Sequence, residues 1–346
     1  MYLAAPYLNQ VLNKFPIFEM YSNLKMMPNQ LKTLFSFTAV LLLFVSCKKD
    51  DEGATRTPPR DRAEQYATDQ GLIEEYLKNN YMTVNANMDV TVTEIPNGGT
   101  QTSIWDQTEY PLQYIVVKND TRVSLRTDGR INDPVEYKLY YILLNEGGGQ
   151  RPTTIDSTHV SYRGWNFDNE EFDRTSTPVW TSFPSDIQFI SGFRQILPLM
   201  KTAENTTVNT DGTVNYSNFG NLVVFIPSGL AYYESSRSTL IRSYSNLVFQ
   251  IQLKNLRYND HDRDKILSKD ELYGTQTDYF LQDTDGDGIP DFLDTNDDGD
   301  LILTRNELKI PNTNPQQYYS FDAIPDCSGN TTNPNRLKKH LDPSCN

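Results

Sequence analysis

Positive charge is what this chain most lacks: 31 Lys and Arg stand against 45 Asp and Glu, a formal net charge of -14. Nucleic-acid backbones need basic surface, so this balance excludes them as partners. Apolar residues are also scarce, at 37% with a mean hydropathy of -0.58. That excludes one large core and fits a modest domain with polar extensions. No apolar run reaches the roughly 20 residues of a membrane-crossing helix. Leu34 to Val45 covers only 12. Cysteine is limited to Cys47, Cys327 and Cys345, and histidine to His159, His261 and His340. His159 reads as a strand residue without catalytic work, His261 as part of an acidic loop, and His340 as a solvated residue near the terminus.

Aromatic residues are what the chain has in quantity, 12% with 21 Tyr. Such residues fit half-buried pleated surfaces and predict β-rich structure. The 12-residue apolar run has the length of a signal-peptide core, with Lys32 before it and Ser46-Cys47 after it. It resembles a bacterial lipoprotein signal, which implies that Cys47 is acylated and becomes the first mature residue. Lys48-Lys49-Asp50-Asp51-Glu52 resembles the acidic export signal of surface lipoproteins in Bacteroidetes. Residues 1–46 are then the signal peptide, with the true start at Met26 or Met27, and the expected location is the outer membrane, on a lipid anchor. Residues 47–62 form the lipidated tether. An oxidising compartment predicts a disulfide between Cys327 and Cys345 that closes a tail over residues 311–346.

Tyr66, Ile73, Tyr76 and Leu77 recur at helical spacing and predict a short amphipathic helix. Alternating runs such as Val90-Thr91-Val92-Thr93 and Tyr114 to Val117, punctuated by Asn97-Gly98-Gly99 and Asp128-Gly129, predict strands and hairpins. Residues 63–133 are therefore a helix plus a β-rich extension that could lengthen the sheet of the next domain. The polar stretch Lys201 to Asn221 reads as a surface insertion.

Five blocks in order carry the chemistry: His159-Val-Ser-Tyr162-Arg-Gly164, Phe172-Asp173, Ile190-Ser-Gly192-Phe193, Ile226-Pro-Ser-Gly-Leu-Ala-Tyr232-Tyr233 and Leu247-Val-Phe249-Gln-Ile-Gln-Leu253. Together they resemble the FKBP-type peptidyl-prolyl isomerase family across residues 134–257. The resemblance implies an α+β fold, with an antiparallel sheet wrapped on a short helix, and rotation of X-Pro bonds in proline-containing polypeptide clients. It also implies the site residues. Tyr162, Phe172, Asp173, Ile190, Phe193, Tyr232 and Phe249 would form the catalytic pocket. Trp180, Phe189, Leu240 and Ile241 would contact substrate. Phe193 stands where the family usually has Trp, Tyr233 where it has Gly, and Arg242-Ser243 where the flap has Pro-Pro. These departures keep two other readings open, a non-catalytic binder of proline segments and a structural lipoprotein of an envelope machine.

The acid is concentrated, with 15 Asp and Glu against 5 Lys and Arg in residues 258–310. Asp260, Asp262, Asp264 and Glu271, with the Ile266 carbonyl, have the oxygen-ligand spacing of an EF-hand loop. The pattern returns 36 residues later as Asn296, Asp298, Asp300, Ile302 and Glu307, an internal repeat. Between them, Asp283, Asp285, Asp287, Ile289, Asp291 and Asp294 resemble a thrombospondin type 3 calcium repeat. Calcium in a structural role is the expected cofactor, with no organic one. The expected assembly is a monomer.

Overall fold

The computed structural model describes residues 58–184 and 189–345. The signal peptide, Cys47 and most of the tether lie outside the described residues. Asp61 starts the first helix, α1 (Arg62–Asn79), by accepting from the amides of Ala63 and Glu64. This is an N-cap that satisfies two otherwise orphan donors. Its apolar side chains Ile73, Tyr76 and Leu77 are buried, as their spacing predicts. A hairpin of β1 (Asn80–Val84) and β2 (Val90–Glu94) follows.

Six further strands form one antiparallel sheet: β3 (Leu112–Lys118), β4 (Glu136–Asn145), β5 (Ser157–Trp165), β6 (Glu171–Ser182), β9 (Gly220–Ile226) and β10 (Leu247–Arg257). Their spatial order is β3-β4-β9-β10-β5-β6. β3 belongs to the N-terminal extension, so the extension does lengthen the sheet. Side chains alternate between faces along a strand, and here both faces are covered. Tyr137, Leu139 and Tyr141 of β4 join one apolar cluster with the short helix α2 (Ser191–Ile196). Tyr140, Ile142 and Leu144 join a second cluster with Ile73, Tyr76 and Leu77 of α1. Consequently β9 is buried at every position, as a strand sandwiched on both sides must be.

Residues Asn205–Val208 (β7) and Val214–Ser217 (β8) pair as a separate, largely exposed hairpin, which is the form the polar insertion takes. Residues 258–345 hold little regular structure beyond short turns and the four-residue helix α3 (Thr304–Glu307). Two small apolar clusters organise that segment: Ile155, Phe280 and Phe292, and Ile266, Leu308 and Ile324. Cys327 and Cys345 are bonded as a disulfide. His340 is fully buried, contrary to the expectation of a solvated ring, and burial holds its pKa down to about 3. Residues 59–346 make one compact unit. Among the described residues, no helix is long and apolar enough to cross a membrane.

Candidate active site and acidic module

α2 lies across the sheet and presents Phe193, which is 1% exposed. A methyl group at Gly192 would come within 2.6 Å of Ile226, so glycine lets the helix sit down on β9. Phe193 meets Tyr162 at 5.6 Å and Phe249 at 5.4 Å, both edge-to-face, and Phe189 at 5.0 Å. Edge-to-face geometry sets the positive ring edge against the negative face of its neighbour. A methyl group at Gly164 would collide with Phe172 and Phe249, at 2.6 and 2.7 Å. This close approach explains the glycine two residues after Tyr162.

The resulting cavity, about 410 Å³, is lined by Tyr162, Asp173, Phe189, Ile190, Phe193, Tyr232, Arg237 and Phe249. Its polar edge is sparse. The Tyr162 hydroxyl donates to the Asp173 carboxylate at 2.9 Å. Burial raises the Tyr232 phenol, so it stays a protonated donor near neutral pH, and the Arg237 guanidinium lies 4.7 Å from that ring. A wider cavity of about 530 Å³ adjoins it, sharing Phe189, Ile190, Tyr232 and Arg237 and continuing past Arg62, Asn119 and Arg122.

Not every expected pocket residue reaches the cavity. Phe172 packs edge-on against Phe249 at 5.4 Å and buttresses the wall from behind. Ile241 is buried in the apolar cluster and Leu240 is half-buried, with its carbonyl facing Asn166. Trp180 is 46% exposed and stacked on His159 at 4.7 Å, away from the cavity. Strand alternation is the reason. Trp180 pairs with His159 and Asp173 with Gly164, five residues apart on β5, so the two point to opposite faces.

The acidic segment is built differently. Asp262, Asp264 and Glu271 converge with Asp297, each offering an oxygen within 4.8 Å of the others. Asp264 and Glu271 are 1% exposed. One oxygen each of Asp260, Asp262 and Asp264, and both of Glu271, are buried with no hydrogen-bond partner. The second repeat behaves alike, with buried, unpartnered oxygens on Asn296, Asp298, Asp300 and Glu307. Burial together with neighbouring carboxylates drives Glu307 up to about 8, and Asp262 and Asp264 well above the usual range. A donor set made only of oxygens fits a hard divalent cation. Lys265 takes a left-handed φ of 94°, the conformation that favours glycine at this loop position.

The middle loop is more open. Asp283, Asp285 and Asp287 also cluster, but each already accepts backbone amide bonds. Asp291 is committed to protein: its carboxylate accepts from the Thr284 amide and hydroxyl, both at 2.7 Å, and from the Tyr273 hydroxyl. Asp294 accepts from the Asn296 amide at 2.9 Å. Both Asp291 oxygens thus already accept hydrogen bonds from the protein, unlike those of Glu271. Ile289 donates its amide to Asp287.

Comparison with known proteins agrees with this division. The family model for FKBP-type peptidyl-prolyl cis-trans isomerase matches residues 148–254, which hold the whole aromatic cavity. Residues 148–254 are an FKBP-type domain. A second model, described as BamM C-terminal, matches residues 261–334. Similar solved structures include a peptidyl-prolyl cis-trans isomerase from Pseudomonas syringae pv. tomato, 25% identical over 38% of this chain and 79% of that one, with a TM-score of 0.28. FkpA from Escherichia coli is 16% identical over 70% of this chain and 79% of its own, with a TM-score of 0.31. No curated protein matches the chain.

The FKBP-type domain is gripped by residues outside those five blocks. Asp69 of α1, fully buried, accepts from the Ser228 amide at 2.9 Å and hydroxyl at 2.6 Å, and Asn119 donates to the Gly229 carbonyl at 2.7 Å. Both hold the turn that leads to Tyr232. Asp120 accepts from Ser191 at 2.6 Å and pairs with Arg194 at 2.5 Å, which holds α2. The segment between Arg122 and Arg130 then reaches the acidic module: Arg126 donates to the Asp287 carbonyl at 2.8 Å and Arg130 pairs with Asp278. Tyr233 adopts φ 51°, which accounts for glycine being usual there. Its ring is held by Tyr244 at 5.2 Å and by Arg62 at 4.2 Å. In the flap, the Arg242 amide donates to Ser245 and the Ser243 hydroxyl to the Glu234 carbonyl, bonds that Pro-Pro could not make. None of these partners has a local sequence signature; apart from the Arg242–Ser245 bond, which spans 3 residues, the hydrogen bonds span from 9 to 161 residues.

Proposed function

We propose that this protein is a prolyl isomerase that assists the folding of exported, proline-containing polypeptides. One observation carries the reading: an aromatic cavity of about 410 Å³ with Asp173, Tyr162 and Tyr232 at its polar edge. Rotating an X-Pro amide breaks its resonance, against a barrier of about 18–20 kcal/mol. The twisted amide is less charge-separated than the planar one. A slot walled by Phe189, Phe193 and Phe249 therefore favours it over the ground state, which is differential binding of the transition state. The Ile190 amide and the Tyr232 hydroxyl would hold the peptide carbonyls on either side of the rotating bond. No nucleophile is needed.

The same reading includes a lipid on Cys47 that tethers the domain to the outer membrane, supported by the signal-like run before it. It also includes calcium in the acidic loops as a structural ion, supported by their buried oxygens without protein partners. Mass spectrometry of Cys47 in membrane-extracted protein tests the anchor, and an unmodified residue would remove it.

Turnover is tested by a proline-isomerisation assay in the presence of calcium. The wild-type protein should exceed the spontaneous rate, and Asp173→Val or Tyr232→Phe should lower kcat/KM by about tenfold or more, within the range for losing a transition-state contact. A wild-type rate equal to the uncatalysed background would overturn the catalytic reading, leaving a pocket that binds proline segments without turnover.

A further inference from the structure

We propose that Asp297, delivered by the second acidic loop, is a ligand of the cation held by the first, so that the two loops form one linked metal centre. This rests on the calcium reading above and deepens it.

The two repeats can be compared position by position. The second residue of each loop donates its backbone amide to the hydroxyl of the ninth: His261 to Ser268 at 3.2 Å, and Asp297 to Thr304 at 3.1 Å. The backbones of the repeats therefore agree at this point, and the difference is in what the second side chain does. His261 turns toward the FKBP-type domain, with Nε2 2.8 Å from the Phe183 carbonyl and Nδ1 2.8 Å from Ser268. Asp297 turns toward the first loop and joins Asp262, Asp264 and Glu271 in one group of oxygens.

Asp297 is 1% exposed, and both its carboxylate oxygens lack a hydrogen-bond partner. The same is true of both oxygens of Glu271, opposite it. A buried carboxylate without donors is costly unless something else compensates it. Among three further acids a cation is the compensating group that would serve all four at once, and among the described residues none of the four is ion-paired to a Lys or Arg. Calcium takes 6–8 oxygen ligands in a flexible shell, so one more carboxylate from outside the loop is readily accommodated. Asn296, Asp298, Asp300 and Glu307 remain as the second loop's own oxygens. An ion in the first loop would thus pull on the residue between Asn296 and Asp298 and fix the backbone from which the second site is built.

The test is Asp297→Asn in the purified protein, with calcium binding followed by titration calorimetry and thermal stability measured with calcium and with chelator. The amide keeps the shape and removes the charge. The expected result is at least about tenfold weaker binding at one site, together with a reversal in stability: the variant melts above wild type in chelator, because a neutral amide replaces a buried acid that has no hydrogen-bond donor, and below it in calcium. A purely structural acid would not give that reversal. If wild type binds calcium and Asp297→Asn matches it in affinity and in both melting curves, the shared ligand is overturned while the calcium reading stands. If wild type itself binds no calcium, both are overturned. Glu307→Gln serves as the contrast, weakening the second site while the Asp297 carboxylate remains.

Discussion

Phe193 and Glu271 are equally buried, each 1% exposed, and their surroundings have nothing else in common. Phe193 touches three other rings and is complete in the folded chain. Glu271 has two buried oxygens with no donor and is ringed by Asp262, Asp264 and Asp297. The FKBP-type domain gains its stability from apolar burial and protein-protein hydrogen bonds, which form whenever the chain folds. The acidic module lacks such closure. Among the described residues, every buried carboxylate oxygen without a partner lies between Asp260 and Glu307. One region is completed by its own side chains, while the other leaves buried carboxylate oxygens without partners, as the proposed cation would require.

Removing the cation should separate the two regions most sharply. In chelator the buried acids of the module hold protons that the unfolded chain would release, with Glu307 raised to about 8 and Asp297 to about 10 by burial and neighbouring carboxylates. Their stabilising contribution is present below the ordinary carboxylate pKa near 4 and is lost as pH rises toward those folded values. The metal-free module should therefore melt lower at pH 8 than at pH 5, by about 10 °C or more. With saturating calcium the acids stay ionised and the slope should vanish or reverse, since the ion competes with protons. Calorimetry or hydrogen exchange over residues 260–307 reads this directly, with β9 as the internal control. Identical curves in calcium and chelator would dissolve the distinction between the regions.

The converse break is Asp69→Ala. It strips the acceptor from the buried Ser228 hydroxyl and one of two from the Ser228 amide, which keeps Asn246 Oδ1 at 3.1 Å. Leaving that hydroxyl, and the Gln65 side-chain amide that also donates to Asp69, without this acceptor is expected to cost about 3 kcal/mol. Because this turn leads to Tyr232, kcat/KM should fall with it, and the loss should be the same with calcium or chelator. A calcium-dependent loss would mean that the two regions share their stability.

The walls of the pocket were legible because aromatic residues and glycines recur in blocks whose spacing reflects strand alternation and close packing. Gly164 and Gly192 are glycines for reasons of contact that a short motif can carry. The first and second acidic loops stood out in the sequence because their carboxylates alternate within twelve residues. What escaped depends on pairs far apart in the chain. Asp69 and Ser228 are 159 residues apart, and nothing near either announces the other. Asp297 occupies a position that is not a ligand within its own loop, and only tertiary packing turns it toward the first. Asp291 has ligand spacing, yet Thr284, Tyr273 and Gln282 already surround its oxygens. His340 lies near the terminus, a place that reads as solvated, although its ring is packed inside.

The smallest expected effect marks where the pocket ends. Trp180 sits on the edge strand β6 opposite His159, while Tyr162 pairs with Thr175. His159 and Tyr162 are three residues apart on β5, so their side chains leave opposite faces of the sheet. Trp180 follows His159, stacked on it and flanked by Arg257 at 5.2 Å, with 46% of its surface in solvent. Trp180→Ala should therefore lower stability by less than about 1 kcal/mol, the scale of one exposed aromatic pair, and leave kcat/KM unchanged. A tenfold fall in kcat/KM without loss of stability would mean that substrate wraps over the sheet edge. The eight residues around the cavity would then be only part of a longer contact, and the domain would not be closed by its own side chains in the way Phe193 suggests.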